Sequence, residues 1–182
     1  MNMKTIIVIL LFAAASTGLI AQNVASHSTT ATKEKKQSEE DVQYQLNKTM
    51  LENRDFVLEA DYLQDHRGNR QFVNHMINFV QVDSTTAIIQ IGSDFRNGPN
   101  GVGGITAKGE ITNWKLTEDK KNKSFNLYIN VMTSIGIYDL FFRIYPFGNS
   151  TALLTGLRYG QLTFEGGLQP YSDSSIYQGV AY

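Results

Sequence analysis

The residues best suited to hold a ligand lie on one stretch rich in Gly and Asn. Asp94, Arg96, Asn97 and Asn100 offer an anion, a cation and two amides on a long connection between apolar runs. Long loops held by a rigid scaffold are where binding groups concentrate. Gly98, Gly101, Gly103 and Gly104 are interleaved with them. Gly101-Val102-Gly103 opens like a dinucleotide fingerprint, but Thr106 stands where its third glycine belongs. That fingerprint also needs a helix after the loop, and Ile105-Thr106-Ala107-Lys108 reads as a strand. A phosphate-binding loop would need Gly-Lys-Ser or Gly-Lys-Thr, which is absent. These glycines are therefore read as structural, giving positive φ or close backbone approach at a strand entry. No cofactor is expected.

Other chemistry is thinner. His27, His66 and His75 show no one-turn helical spacing, so no metal site is expected. There is no cysteine, which removes thiol nucleophiles and thiolate metal sites. No G-x-S-x-G nucleophile elbow occurs. Glu59 and Asp61 stand two apart on a strand pattern and share a face, as a hydrolase's carboxylates would; a solvated face explains them more simply. Aromatic residues are frequent, with nine Tyr, ten Phe and one Trp. Trp114, Tyr128, Tyr138 and Tyr145 are candidates for a platform under a sugar or an apolar ligand, although such residues also favour strands for packing alone. Trp114 joins the loop residues as a candidate ligand contact. Asp83-Ser84-Thr85 matches a short O-glycosylation pattern and reads equally well as a turn.

The elements that must position these residues follow from hydrophobic period. Lys4, the apolar run from Ile6 to Phe12 and the small residues Ala13 to Ser16 form an export signal. The expected cut follows Ala21, giving a signal over 1–21, and no integral membrane span is expected after cleavage. Residues 22–37 are polar, cannot bury enough to order themselves, and are expected to be a disordered tether. Ser38-Glu39-Glu40-Asp41 has the form of a capping box, and Val42, Leu46, Met50 and Leu51 make the apolar stripe of a helix. From Arg54 the period becomes two. Phe56-Leu58-Ala60, Ile77-Val82, Thr86-Ile91, Ile105-Leu116, Phe125-Met132, Tyr138-Tyr145, Thr151-Leu157 and Gln161-Phe164 are the strand candidates. Gly148-Asn149 signals a tight hairpin. Residues 38–182 thus read as a single mainly β domain. Its expected form is an antiparallel β-sandwich or flattened barrel of about eight strands with one N-terminal helix. Without disulfides it must rest on its core, and a domain of this size buries enough to do so.

Several of these pieces together carry a resemblance. They are Phe56-Val57-Leu58-Glu59-Ala60-Asp61, Asn78-Phe79-Val80-Gln81-Val82-Asp83, Ala87-Ile88-Ile89-Gln90-Ile91, the run from Gly98 to Thr106, Phe164-Glu165-Gly166-Gly167-Leu168 and Ile176-Tyr177-Gln178-Gly179. The chain resembles the exported bacterial family called domain of unknown function 4251. The resemblance implies an exported, mostly β domain and brings no catalytic residue with it.

A formal net charge of −1 argues against a nucleic-acid partner. The expectation is a non-enzymatic binding or accessory domain of the periplasm or cell envelope. Its partner would be a small molecule or an envelope protein. The alternatives are an envelope hydrolase using strand-borne carboxylates, or a structural module of an envelope assembly.

Overall fold

The computed structural model describes residues 20–93, 100–147, 150–157 and 160–181, with side chains from Lys35 onward. Helix α1 covers Ile20–Asn53. The strands are β1 (Asp55–Asp65), β2 (Arg70–Phe72), β3 (Phe79–Asp83), β4 (Thr86–Ile91), β5 (Ile105–Asp119), β6 (Ser124–Thr133), β7 (Gly136–Ile144), β8 (Ser150–Leu157) and β9 (Gly160–Gln169). All neighbours pair antiparallel, in the order β2-β1-β3-β4-β5-β6-β7-β8-β9. A further antiparallel pairing of β9 with β1 closes eight of the strands into a barrel. Closure leaves no free edge among those eight. β2 is the extra strand. It pairs only with the second half of β1, Tyr62–Gln64. It is not among the expected strands, because three exposed residues carry no readable period.

Alternation fills the barrel. Phe56, Leu58 and Ala60 of β1 point inward with Phe125, Leu127, Ile129 and Val131 of β6, Leu140, Phe142 and Ile144 of β7, and Phe164 of β9, all essentially without exposure. Each of these Phe, Leu, Ile and Val side chains contributes about 1.5–3 kcal/mol on burial. Among the described residues these side chains fill the interior as a packed core, as expected of an eight-strand barrel. A bulge between Ala60 and Tyr62 adjusts β1 to its partner β9, and another between Ile111 and Asn113 adjusts β5 to β6.

The chain separates into two compact units, Met1–Glu39 and Glu40–Tyr182. In the first, the described backbone is helical from Ile20, and Lys35 pairs with Glu39 one turn on at 3.9 Å. The tether expected over 22–37 therefore has helical backbone, and Ser38 lies inside the helix instead of capping it. No Gly or Pro interrupts this stretch, and Ala, Lys, Glu and Gln are good helix formers. Low hydrophobicity limits burial; it does not forbid a helix. In the second unit, the end of α1 closes one mouth of the barrel. Tyr44, Asn47, Met50 and Leu51 face the barrel, whereas Val42 and Leu46 stay exposed. Of the expected stripe, Met50 and Leu51 are buried, whereas the places of Val42 and Leu46 are taken by Tyr44 and Asn47. An aromatic ring and an amide found partners there: Tyr44 stacks on Phe125 at 5.2 Å, and the Asn47 amide donates to the Tyr145 carbonyl at 3.0 Å. Among the described residues, no helix is long and apolar enough to cross a membrane. The expected signal segment lies outside the described residues up to Ile20, as does the Gly148-Asn149 turn.

Candidate functional site

The strand register fixes which residues meet at the other mouth. The start of β1 pairs with Asp83 beside the helix, and its far end pairs with Leu162. That far end opens onto a cleft of about 560 Å³. Leu63, Val73, Ile91 and Leu162 form an apolar floor, and Asp65, Asn69, Arg70, Asn74, Asn78 and Ser93 form the rim.

The rim is built from local turns. Asp65 Oδ1 accepts from the Arg67 and Asn69 backbone N–H groups at 2.8 and 2.9 Å, and its Oδ2 accepts from the Asn69 amide at 2.8 Å. Chiefly through that amide, its carboxyl is held below the usual carboxylate range. This turn delivers Arg70. Its Nη2 lies 2.7 Å from Glu165 Oε2, and its guanidinium lies 3.4 Å from the centre of the Tyr62 ring. On the opposite side, Asn78 Oδ1 accepts from Gly92 N–H at 2.9 Å, and Ser93 Oγ donates to the Gly103 carbonyl at 3.0 Å. The rim is therefore held in place by bonds from several strands.

Of the loop candidates, Asp94, Arg96, Asn97 and Gly98 lie outside the described residues. Asn100 is buried, and its amide is fully used. It donates to Thr106 Oγ1 at 3.1 Å and to the Ile91 carbonyl at 3.4 Å, and accepts from Val102 and Gly104 N–H at 3.1 and 2.9 Å. Gly101 and Gly103 have φ of 74° and 78°. A Cβ on Gly104 would run into the Ile91 carbonyl. Trp114 is not brought to this loop. It packs against Phe56, with the Arg54 guanidinium 4.7 Å over its ring. Eight residues of β5 separate it from Thr106, roughly 25 Å at strand rise.

The segment after β9 forms a strap that sequence reasoning missed. It runs back over the outside of β1, β3 and β4. Ile176 packs on Val57, Phe79 and Ile88, a small second core outside the barrel. Gln90, fully buried, holds the strap from both ends of its amide. Nε2 donates to the Tyr177 carbonyl at 2.8 Å and Oε1 accepts from Gly179 N–H at 2.8 Å. Glu59 accepts from Ser174 Oγ at 2.7 Å and Ser175 N–H at 3.0 Å, with His75 Nε2 at 3.9 Å. The one signal for the strap was the doubly apolar pattern of β1, β3 and β4, whose outer residues needed a cover. His66 lies in the exposed turn after β1. Among the described residues, no group of three or more His, Asp or Glu could hold a metal ion.

At the closed mouth, the Tyr44 hydroxyl donates a short hydrogen bond to Glu118 Oε1, and Lys48 Nζ lies 3.3 Å from both Glu118 oxygens. The bond to Glu118, with burial and the carboxylate's charge, pushes the Tyr44 hydroxyl up to about 12. The same bond, aided by Lys48, holds Glu118 below its usual value. This cluster anchors the helix.

The family model described as domain of unknown function (DUF4251) matches residues 20–168. Among solved structures, the crystal structure of a DUF4251 family protein from Bacteroides eggerthii DSM 20697 is similar, at 27% identity and a TM-score of 0.62. The match covers 74% of this chain and 92% of that one. No curated protein matches.

Proposed function

The chain belongs to the DUF4251 family, and from that premise we propose that it is an exported, non-enzymatic binding domain of the bacterial periplasm or cell envelope. It holds a small amphipathic molecule in the open mouth of its barrel. The observation that carries this reading is the cleft of about 560 Å³, with an apolar floor and a polar rim. Ligand pockets commonly span about 300–1,000 Å³, are mostly apolar, and carry a few fixed polar groups. Because Phe56, Phe142 and Phe164 fill the barrel below, the ligand stands at the mouth. Its apolar end lies on Leu63 and Leu162, and its polar end meets Arg70, Asn74 and Ser93. The export reading rests on Lys4 and the apolar run behind it.

The test is thermal unfolding of the exported protein against dodecanoate and lysophospholipids. A ligand at 100 times its Kd adds about 2.7 kcal/mol by mass action, which raises the melting temperature of a domain this size by roughly 5–10 °C. Leu162→Arg is expected to remove that shift. No shift with any amphiphile, or a shift that survives Leu162→Arg, overturns the reading. N-terminal sequencing of the periplasmic fraction is expected to begin at Gln22.

A further inference from the structure

A different face of the barrel carries a second site. The register aligns outward side chains of β5, β6 and β7 in transverse rows. Lys115 stands opposite Tyr128, which stands opposite Phe141. In the next row toward the helix end, Thr117 stands opposite Asn126, and Asn126 opposite Arg143. These six residues line a shallow groove of about 300 Å³. Its centre is an aromatic step. The Tyr128 and Phe141 rings lie 4.8 Å apart, tilted by 39°, and Phe141 is 45% exposed.

The step is fixed and electrically polar. The Tyr128 hydroxyl donates to Asp139 Oδ1 at 2.7 Å, and the Asn130 amide donates to the same oxygen at 2.8 Å. Asp139, Phe141 and Arg143 follow at two-residue spacing on one face of β7. An anion thus lies at one end of the step and a cation at the other, about 13 Å apart at strand rise. Lys115 and Arg143 have no acidic partner within 4.0 Å among the described residues, in contrast to Arg70, Lys48 and Lys123. Two uncompensated cations, an amide, a hydroxyl and an apolar ring face are complementary to an acidic sugar. A pyranose offers its C–H face to a ring, its hydroxyls to amides, and its carboxylate to a guanidinium.

We propose that the outer face of β5–β7 binds an acidic glycan. A uronate ring stacks on Tyr128 and Phe141, its carboxylate lies between Arg143 and Lys115, and its hydroxyls meet Asn126 and Thr117. Asp139 repels the carboxylate from the other end and so sets the direction of the sugar. This site is independent of the barrel mouth.

Calorimetric titration of the full chain with short oligomers of galacturonate, mannuronate and glucuronate tests it, alongside their neutral methyl esters. At least one uronate is expected to bind with a Kd of roughly 1 mM or tighter. The methyl ester of that uronate should bind at least about tenfold more weakly, because the charge-assisted bonds are lost. Arg143→Gln and Phe141→Ala should each weaken binding about tenfold, through the lost ion pair and the lost stacking surface. Ile137→Ser, on the same face but beyond Asp139, should leave binding unchanged, and unaltered melting of the variants shows that they fold. Absence of binding by all three uronates overturns the proposal. So does equal binding of the methyl esters, or full affinity in Arg143→Gln. An amphiphile shift that survives Leu162→Arg, with uronate binding intact, would fault the mouth reading alone.

Discussion

Replacing Gln90 by Leu probes how far the strap and the Gly-rich segment are one unit. Gln90 sits outside the barrel wall with no exposure. Its Nε2 donates to the Tyr177 carbonyl at 2.8 Å and the Ile77 carbonyl at 3.2 Å, and its Oε1 accepts from Thr106 Oγ1 at 2.9 Å and Gly179 N–H at 2.8 Å. Leu has nearly the same size and removes every one of these bonds. A buried group left unpaired costs about 1–3 kcal/mol. The strap groups, Tyr177 O and Gly179 N–H, escape that cost by lifting into water. Ile77 O and Thr106 Oγ1 lie against the barrel wall and cannot. Two orphans, moderated by the bond Thr106 keeps from Asn100, give a loss of roughly 2–4 kcal/mol. For a domain of this size that is a fall in melting temperature of roughly 5–12 °C. Urea unfolding reads the loss. Hydrogen exchange reads its location, because the N–H groups of Tyr177, Gly179 and Val180 are bonded to Met76 O, Gln90 Oε1 and Asn100 O. These amides should exchange far faster in Gln90→Leu while those of β6 keep their protection. A stability loss below about 1 kcal/mol, or strap amides as protected as before, refutes the reasoning.

Two further outcomes follow from the helix. Leu51→Ala, at a position with no exposure under the barrel rim, should cost about 2–5 kcal/mol in urea unfolding. Val42→Ala, 67% exposed, should change it by no more than about 0.5 kcal/mol. The Tyr44–Glu118 bond predicts two pH windows. Tyr44 titrates higher in the folded protein, so its contribution is intact below its ordinary value near 10 and is lost as the pH rises toward about 12. Glu118 titrates lower when folded, so its contribution is intact above its ordinary value of 4.5 and is lost as the pH falls through its depressed folded value. Tyr44→Phe should flatten the alkaline limb and shift the acid transition to higher pH in denaturation curves read by circular dichroism.

The barrel was legible because period survives in every long strand. Phe125, Leu127, Ile129 and Val131 alternate with Asn126, Tyr128 and Asn130, and that alone assigns an inside and an outside to β6. What the period does not carry is register. Leu63 and Leu162 meet across the mouth only because β9 returns to β1, and Gln90 reaches Tyr177 only because the strap crosses three strands. The mouth is hidden in the sequence for a related reason. Asp65, Asn69 and Arg70 have turn chemistry, and they do form a turn; their place on a rim follows from barrel closure. Conversely, Asn100 had the residue type of a ligand contact, yet its amide is consumed by its own loop. Residue type shows what a group can bond, and burial decides what it does bond.

Strands apolar on both faces are the feature the sequence showed and local reasoning could not resolve. Tyr138 to Tyr145 is apolar on both faces, a pattern that suits a central strand. In the barrel, Leu140, Phe142 and Ile144 are buried, while Ile137, Phe141 and Tyr145 are 59%, 45% and 43% exposed. Every strand of a closed barrel is central to hydrogen bonding, so that position implies nothing about a second layer. β1, β3 and β4 are doubly apolar too, and there the outer residues Val57, Phe79 and Ile88 are covered by Ile176 of the strap. Among the described residues, the strap covers these outer apolar side chains, while Ile137 and Phe141 on the outside of β7 stay uncovered. Packing explains the covered face completely. It does not explain the outer face of β5–β7, where the aromatic step carries a fixed phenol and stands beside two cations that have no acidic partner within 4.0 Å among the described residues. The arrangement of Lys115, Arg143 and Asp139 around the half-exposed Phe141 and the Tyr128 ring selects a partner by charge and direction. For that reason the uronate titration, more than any stability measurement, bears on what the outer face of this barrel is for.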